Sequence, residues 1–466
     1  MTITPPATVE AAVLNKTLRA TFESGRTRSL AWRKQQLAGL RQMMIDGDAE
    51  LTEALRQDLG RPSMEAYAAD IGHTKAELRH IAKHVDKWAQ RKKVRVPLTV
   101  APAKAWVQPE PLGVALIISP WNYPIQLLIE PLAAALAAGN CVLAKPSELA
   151  PACSAVLARL LGQYVDNDAV IVVEGGIDET TALLSERWDH IFFTGSTAVG
   201  HVIAEAAAKH LTPIVLELGG KSPTYVHASA DLDVAARRIA WGKFLNAGQT
   251  CIAPDYVLAD REIRDVLVDK LCAQITEFYG TDPKSSASFG RIINVRHLKR
   301  LEGLLAKGAG TIATGGTIDE GERFVAPTVT VDPSPDSPIM QEEIFGPILP
   351  VLAVDGPEAA NAFITARPKP LALYVFANDE AAIDTIVAGT SSGGVCINQT
   401  LMHLLPADLP FGGVGDSGMG AYHGKSGFDV FSHRKSVLRK PVKPDLKLLY
   451  PPYKRPVERL VRKILR

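Results

Sequence analysis

The tightest constraint on the fold is a series of short apolar runs: Gly113–Ser119, Cys141–Lys145, Val170–Glu174, His190–Thr194 and Pro213–Leu218. None alternates clearly between apolar and polar residues, so these strands should be covered on both faces, as in a parallel doubly wound sheet. The segments between them are long enough for crossover helices, among them Ile129–Ala138 and Ser154–Tyr164. A second α/β region is expected from about 222 to 406, with strands at Val257–Ala259, Leu349–Val354 and Leu373–Ala377. Ahead of both, leucines and methionines recur at three- and four-residue intervals from Ser29 to Leu59, a helical pattern interrupted near Gly47. A second helical stretch follows from Met64 to Gln90, whereas residues 1–25 read as a frayed lead-in. Residues 91–110 carry prolines among extended residues and suit strands outside a central sheet. A chain of 466 residues holding two such regions should divide into two or three domains.

Charge excludes some functions. With 51 basic and 50 acidic residues, the net charge of +1 exerts no general pull on nucleic acid or anionic membranes. The cysteines, Cys141, Cys153, Cys251, Cys272 and Cys396, are odd in number and widely spaced, without a C-x-x-C. Neither a disulfide framework nor a metal site is indicated, and free thiols imply a reducing, cytoplasmic compartment. The longest apolar region, Pro131 to Ala144, is broken by Gly139 and Asn140 and is too short to span a bilayer.

Several motifs carry chemistry. Cys251 follows the polar run Asn246-Ala-Gly-Gln-Thr, where Gly248 frees the backbone and Gln249 and Thr250 bring polar atoms near the sulfur. Taken alone, that is either a nucleophile loop or an inert thiol. Glu217, in Leu216-Glu-Leu-Gly-Gly, is a carboxylate fit to act as a base; Asn122, in Pro120-Trp-Asn-Tyr-Pro124, can donate N–H to an oxyanion. Ile191-Phe-Phe-Thr-Gly195-Ser196, ending at Gly200, reads as strand, turn and helix, with N–H groups free for a phosphate or simply capped. Lys145-Pro-Ser-Glu148 closes another strand and suits either a ligand contact or a surface turn. Glu343-Ile-Phe345-Gly-Pro347 could equally be a core anchor at a turn, and the glycine-rich run Pro410–Gly420 has no clear strand feeding it.

Together these motifs resemble the NAD(P)-dependent aldehyde dehydrogenases, and within them the class 3 branch, from about Arg26 to about Tyr453. Ala253-Pro-Asp-Tyr256 and Ala421-Tyr-His-Gly-Lys carry the narrower likeness. The resemblance implies a doubly wound dinucleotide-binding domain (1–90 and 111–217), an α/β catalytic domain (218–412) and a small β oligomerisation arm (91–110 and 413–440). A basic amphipathic tail, 441–466, completes the chain. It implies Cys251 as nucleophile, Glu217 as base for thioester hydrolysis and Asn122 as oxyanion donor. Trp121, Lys145, Glu148, Gly195, Ser196, Gly200, Glu343 and Phe345 would hold the cofactor, and Tyr123 would line the substrate pocket. NAD is the expected cofactor because Glu148 opposes a 2′-phosphate; NADP stays open, since class 3 relatives often accept it. The substrate would be an aromatic or medium- to long-chain aliphatic aldehyde, and the assembly a homodimer. His403 and His423 are expected to be structural or pocket-lining. Two alternatives are a CoA-acylating dehydrogenase, against which Glu217 speaks, and a cysteine esterase or thioesterase, which leaves the cofactor motifs unexplained. The tail from Lys454 onward places Val457, Leu460, Val461, Ile464 and Leu465 on one helical face among basic residues, a pattern that suits weak membrane-surface contact or packing on a subunit.

Overall fold

The computed structural model describes residues 7–306, 308–445 and 450–464. The apolar runs form a six-stranded sheet in the spatial order Gly418–Met419, Ile214–Glu217, His190–Thr194, Val114–Ile118, Cys141–Lys145, Val170–Val172. All neighbours are parallel except the two-residue edge strand Gly418–Met419, which pairs antiparallel with Leu216 and Glu217. Strand order reverses at Val114–Ile118, from which the chain first winds outward one way and then returns to the other side. Such a reversal opens a crevice beyond the carboxyl ends of the strands. Helix Gln126–Ala138 is buried at every position, which explains its almost wholly apolar sequence.

A seven-stranded sheet is built from Thr311–Thr314, Thr328–Val331, Ile348–Val354, Tyr256–Asp260, Pro223–Val226, Ala372–Phe376 and Gly394–Ile397, in that spatial order. Only its first pair is antiparallel. A third sheet, of three antiparallel strands, joins Lys92–Val94, Lys104–Pro111 and Ser432–Arg439. Its residues are exposed or only half-buried, as expected for proline-bearing strands outside the core. Of the stretch 413–440, Ser432–Arg439 lies in this sheet, while Gly418–Met419 completes the six-stranded one.

The N-terminal reading needs correction. Ala7–Glu23 is a helix of 17 residues packed on helix Ile177–Ser185, with Ala11 and Leu18 buried and Arg19 paired to Asp189 at 3.0 Å. Leu14 and Phe22 pack beside them against the core, and polar contacts from Asn15 and Arg19 to Arg187 and Asp189 add to this narrow apolar face. Residues 1–6 lie outside the described residues. The helical stretch that begins near Met64 is also irregular: Ala66–Ile71 winds as a π-helix between α-helical turns.

Candidate active site

The predicted residues gather where the strands of the six-stranded sheet end. Trp121, Asn122 and Tyr123 follow Val114–Ile118; Lys145 and Glu148 follow Cys141–Lys145; Gly195 and Ser196 follow His190–Thr194; Glu217 ends its own strand. Gly195 N–H donates to the Glu217 carbonyl at 3.0 Å, which joins two of these ends directly.

The cysteine arrives on a loop with unusual backbone. Asn246 and Ala247 have φ of 52° and 51°, and Gly248 has φ of 74°. A Cβ on Gly248 would lie 2.2 Å from the Gly346 carbonyl oxygen, so only glycine permits this approach to the segment Glu343–Pro347. The loop is clamped by buried polar groups. Gln249 donates to the Asn246 and Arg291 carbonyls at 3.0 and 2.9 Å and accepts from Ile293 N–H at 2.9 Å. Thr250 Oγ1 is 2.6 Å from the Tyr123 hydroxyl. Both side chains, adjacent in sequence to Cys251, are committed to these contacts. Burial pushes the Cys251 thiol up, and the Glu217 and Glu343 carboxyls add to that, against the pull of the Cys251 and Ile252 N–H groups. In this state Cys251 is a thiol.

Glu217 is buried and its Oε1 has no partner. Burial, and then the charge of Glu130, hold its carboxyl far above the usual carboxylate range. An unpartnered buried carboxyl oxygen is costly unless something else comes to satisfy it. The Asn122 amide donates to the Gln249 carbonyl at 3.1 Å, which leaves its second N–H free. Its position is set by Arg61, whose guanidinium donates to the Asn122 carbonyl, to Asn246 Oδ1 at 3.1 Å and to Asp70 at 2.6 Å. The same group lies 4.6 Å over the Tyr123 ring. Both Arg61 and Asp70 are fully buried, and Asp70 also accepts from Gln126 N–H at 2.6 Å. Sequence reading missed this pair, whose only trace is a charge nine residues from another in an otherwise helical stretch.

The residues expected to hold a dinucleotide form a consistent cradle. Ser196 caps helix Thr197–Ala208 by accepting from Val199 N–H, leaving a helix N-terminus at the crevice. Gly200 sits against Leu218, where a Cβ would come within 2.8 Å of a methyl, so a larger residue would have to push that side chain aside. Lys145 is buried with its Nζ 3.2 Å from the half-exposed Glu148. Glu343 folds over Gly219, where a Cβ would lie 2.2 Å from its carboxylate, and its Oε1 lacks a partner. Burial pushes Glu343 up to about 8, with Asp255 adding and Gly220 N–H opposing. Phe345 meets the Trp121 ring edge-on at 5.3 Å. Unpaired acceptors, a free helix terminus and aromatic faces fit a dinucleotide well.

Cys251 also opens onto a cavity of about 330 Å³. Leu127, Trp241, Leu245, Leu401 and Phe411 give it an apolar wall, and Tyr123 lines it too. Trp121, Glu343 and Phe345 do not, so the thiol stands between the cavity and the cofactor segment. His423 lines this cavity and is buried, which pushes it down to about 4; His403 packs near the Phe411 ring outside it. Among the described residues no group of three metal-ligating side chains occurs.

The family model described as the aldehyde dehydrogenase family matches residues 5–437. The dimeric NADP-preferring aldehyde dehydrogenase of Rattus norvegicus is 50% identical over 425 residues, covering 91% of this chain and 93% of the rat protein. Aldehyde dehydrogenase family 3 member A2 of Mus musculus is 50% identical over 437 residues, covering 93% and 90%. Among solved structures, a substrate-bound Staphylococcus aureus AldH superposes with a TM-score of 0.95 at 43% identity, covering 98% of this chain and 99% of that one.

Proposed function

The chain belongs to the aldehyde dehydrogenase family, and from that premise we propose that it oxidises an aldehyde to the carboxylic acid with NAD(P)⁺. The observation that carries this reading is the position of Cys251, between an apolar cavity and the Glu343–Phe345 segment, with Glu217 close by. Cys251 sulfur forms a bond to the carbonyl carbon as its S–H proton passes to solvent water, and the carbonyl π pair moves to oxygen. The free Asn122 N–H and the Cys251 backbone N–H receive that oxyanion; one such donor is worth about 3 kcal/mol. When bound, the nicotinamide supplies a hydride acceptor, so the adduct on sulfur becomes a thioester. Glu217, as carboxylate, then takes a proton from water; the water oxygen bonds to the acyl carbon and the thiolate leaves with the carbon–sulfur electron pair. Lys145, Glu148, Gly195, Ser196, Gly200, Glu343, Phe345 and Trp121 would hold the cofactor.

The apolar wall supports aromatic or medium- to long-chain aliphatic aldehydes as substrates. All five cysteines are free, which supports a reducing, cytoplasmic setting. A homodimer agrees with the name of the rat relative, and the exposed three-stranded sheet is the arm we assign to it. Weak membrane-surface contact through the tail is supported by helix Arg455–Ile464, whose Leu460 is exposed and whose Val457 and Val461 are only half-buried. Leu465 and Arg466, also expected on that helix, lie outside the described residues. Absorbance at the reduced-nicotinamide band, with NAD and a test aldehyde, tests the central reading. NADH should appear without CoA; dependence on CoA, or ester hydrolysis with no NADH from any aldehyde, overturns it.

A further inference from the structure

The cavity at Cys251 is mostly apolar, and one helical face adds Glu65 and His73 to a polar lining that also includes Tyr123, Gln126, Thr250, Tyr422 and His423. Glu65, Ala68, Ala69 and His73 line it in succession across the π-helical turn Ala66–Ile71. A π turn displaces side chains from the regular helical track and is found mostly where a site needs it. The two alanines leave a shallow floor, with Glu65 and His73 roughly 10 Å apart along the helix axis. Glu65 is partly spent, since its Oε2 accepts from Asn246 N–H at 3.0 Å.

His73 is different. Its side chain is nine-tenths buried, and its Nδ1 is 2.7 Å from Glu130 Oε1, with the Gln126 amide 3.2 Å from the same nitrogen. Glu130 is itself fully buried and also lies 3.4 Å from His423 Nε2. Nε2 of His73 has no protein partner, although the residue lines the cavity. Burial alone would lower the His73 pKa; the Glu130 carboxylate, with Glu77 and Asp70 behind it, outweighs that and raises it. With Nδ1 held by Glu130, Nε2 is the His73 nitrogen left to hydrogen-bond with whatever fills the cavity.

We propose that His73, oriented by Glu130, is a specificity-determining residue of this cavity, and that it selects aldehydes carrying a neutral hydroxyl group on the ring or chain away from the carbonyl. The inference rests on the dehydrogenase reading and narrows its substrate class. A plain hydrocarbon chain would leave Nε2 facing apolar surface, whereas a hydroxyl group pairs with it as acceptor or as donor. A carboxylate tail is disfavoured because it would meet the Glu130 carboxylate that already holds His73.

The test compares kcat/KM, read as NADH formation, for plain alkanals and for ω-hydroxy-, ω-carboxy- and ω-aminoalkanals of graded length. Benzaldehyde and its hydroxylated derivatives form a parallel aromatic series. The unmodified enzyme should favour the hydroxylated member by about tenfold or more at one or more lengths, the effect of a hydrogen bond to a charged group. His73→Leu should bring that ratio close to one, and His73→Gln, which keeps an N–H donor, should retain most of it. A hydroxylated-to-plain ratio near one in the unmodified enzyme overturns the inference while leaving the dehydrogenase reading intact. So does a preference for carboxylate or ammonium tails, or an unchanged ratio in His73→Leu. No NADH from any aldehyde overturns the dehydrogenase reading, and this inference with it. If His73→Leu does not fold, the ratio in the unmodified enzyme and in His73→Gln still decides.

Discussion

At the scale of single residues, the active carboxyls are held away from their ordinary titration. Glu217 is raised well above the usual carboxylate range by burial and then by Glu130, so it must lose its proton before it can act as a base. Deacylation should therefore quicken as pH rises through a range well above that of an ordinary carboxylate. In Glu217→Gln, hydride transfer should occur once, giving a burst of NADH near one per site and an acyl adduct on Cys251 visible by intact mass. Normal steady-state turnover in that variant would remove Glu217 from the base role. Glu148 is half exposed beside Lys145, so its repulsion of a 2′-phosphate is screened and modest. Glu148→Gln should narrow the gap between NAD and NADP affinity by several-fold, measured by titration of protein fluorescence. An unchanged ratio would place the ribose elsewhere.

At the scale of elements, the loop that carries Cys251 is defined by what its backbone touches. Gly248→Ala adds a Cβ at a left-handed φ, 2.2 Å from the Gly346 carbonyl, and no flexible side chain is there to yield. We expect kcat to fall by more than tenfold while far-ultraviolet circular dichroism stays native; full activity would mean the loop moves freely. The tail helix Arg455–Ile464 is a second element whose role is separable. A chain ending at Tyr453 should lose co-sedimentation with anionic vesicles at low salt, while the full chain keeps it. Equal binding by both, or by neither, would leave the tail as a packing element.

At the scale of the whole molecule, the two ends of the chain are fastened through buried polar groups. Glu77 accepts from Gly424 N–H at 2.6 Å, which ties helix Gly72–Trp88 to helix Gly424–Val430. Burial, and then the charge of Glu130, push Glu77 up to about 7. A carboxyl raised on folding contributes stability that is full below its unfolded pKa and is lost as pH rises through the folded value. Glu77→Gln keeps an acceptor for Gly424 but cannot ionise, so its thermal midpoint relative to the unmodified protein should climb between about pH 4.5 and 7. A constant difference across that window would mean Glu77 is ionised in the fold. Much of this organisation is legible in the sequence. Buried strands leave uninterrupted apolar runs, and the residues at their carboxyl ends, from Asn122 to Glu217, follow from them. The cavity is not legible, because Leu127, Trp241 and Leu401 come from distant stretches and look like any core residue. Nor is the Arg61–Asp70 pair, since only the fold shows that its charges are buried together, nor helix Ala7–Glu23, whose anchors lie across the molecule. The contact of Gly248 with Gly346 has a reach beyond its size. It makes the thiol and the dinucleotide segment neighbours through bare backbone, with no side chain to cushion a shift. Linkage then requires that whatever factor a bound dinucleotide imposes on electrophile addition at Cys251, the adduct returns to dinucleotide affinity.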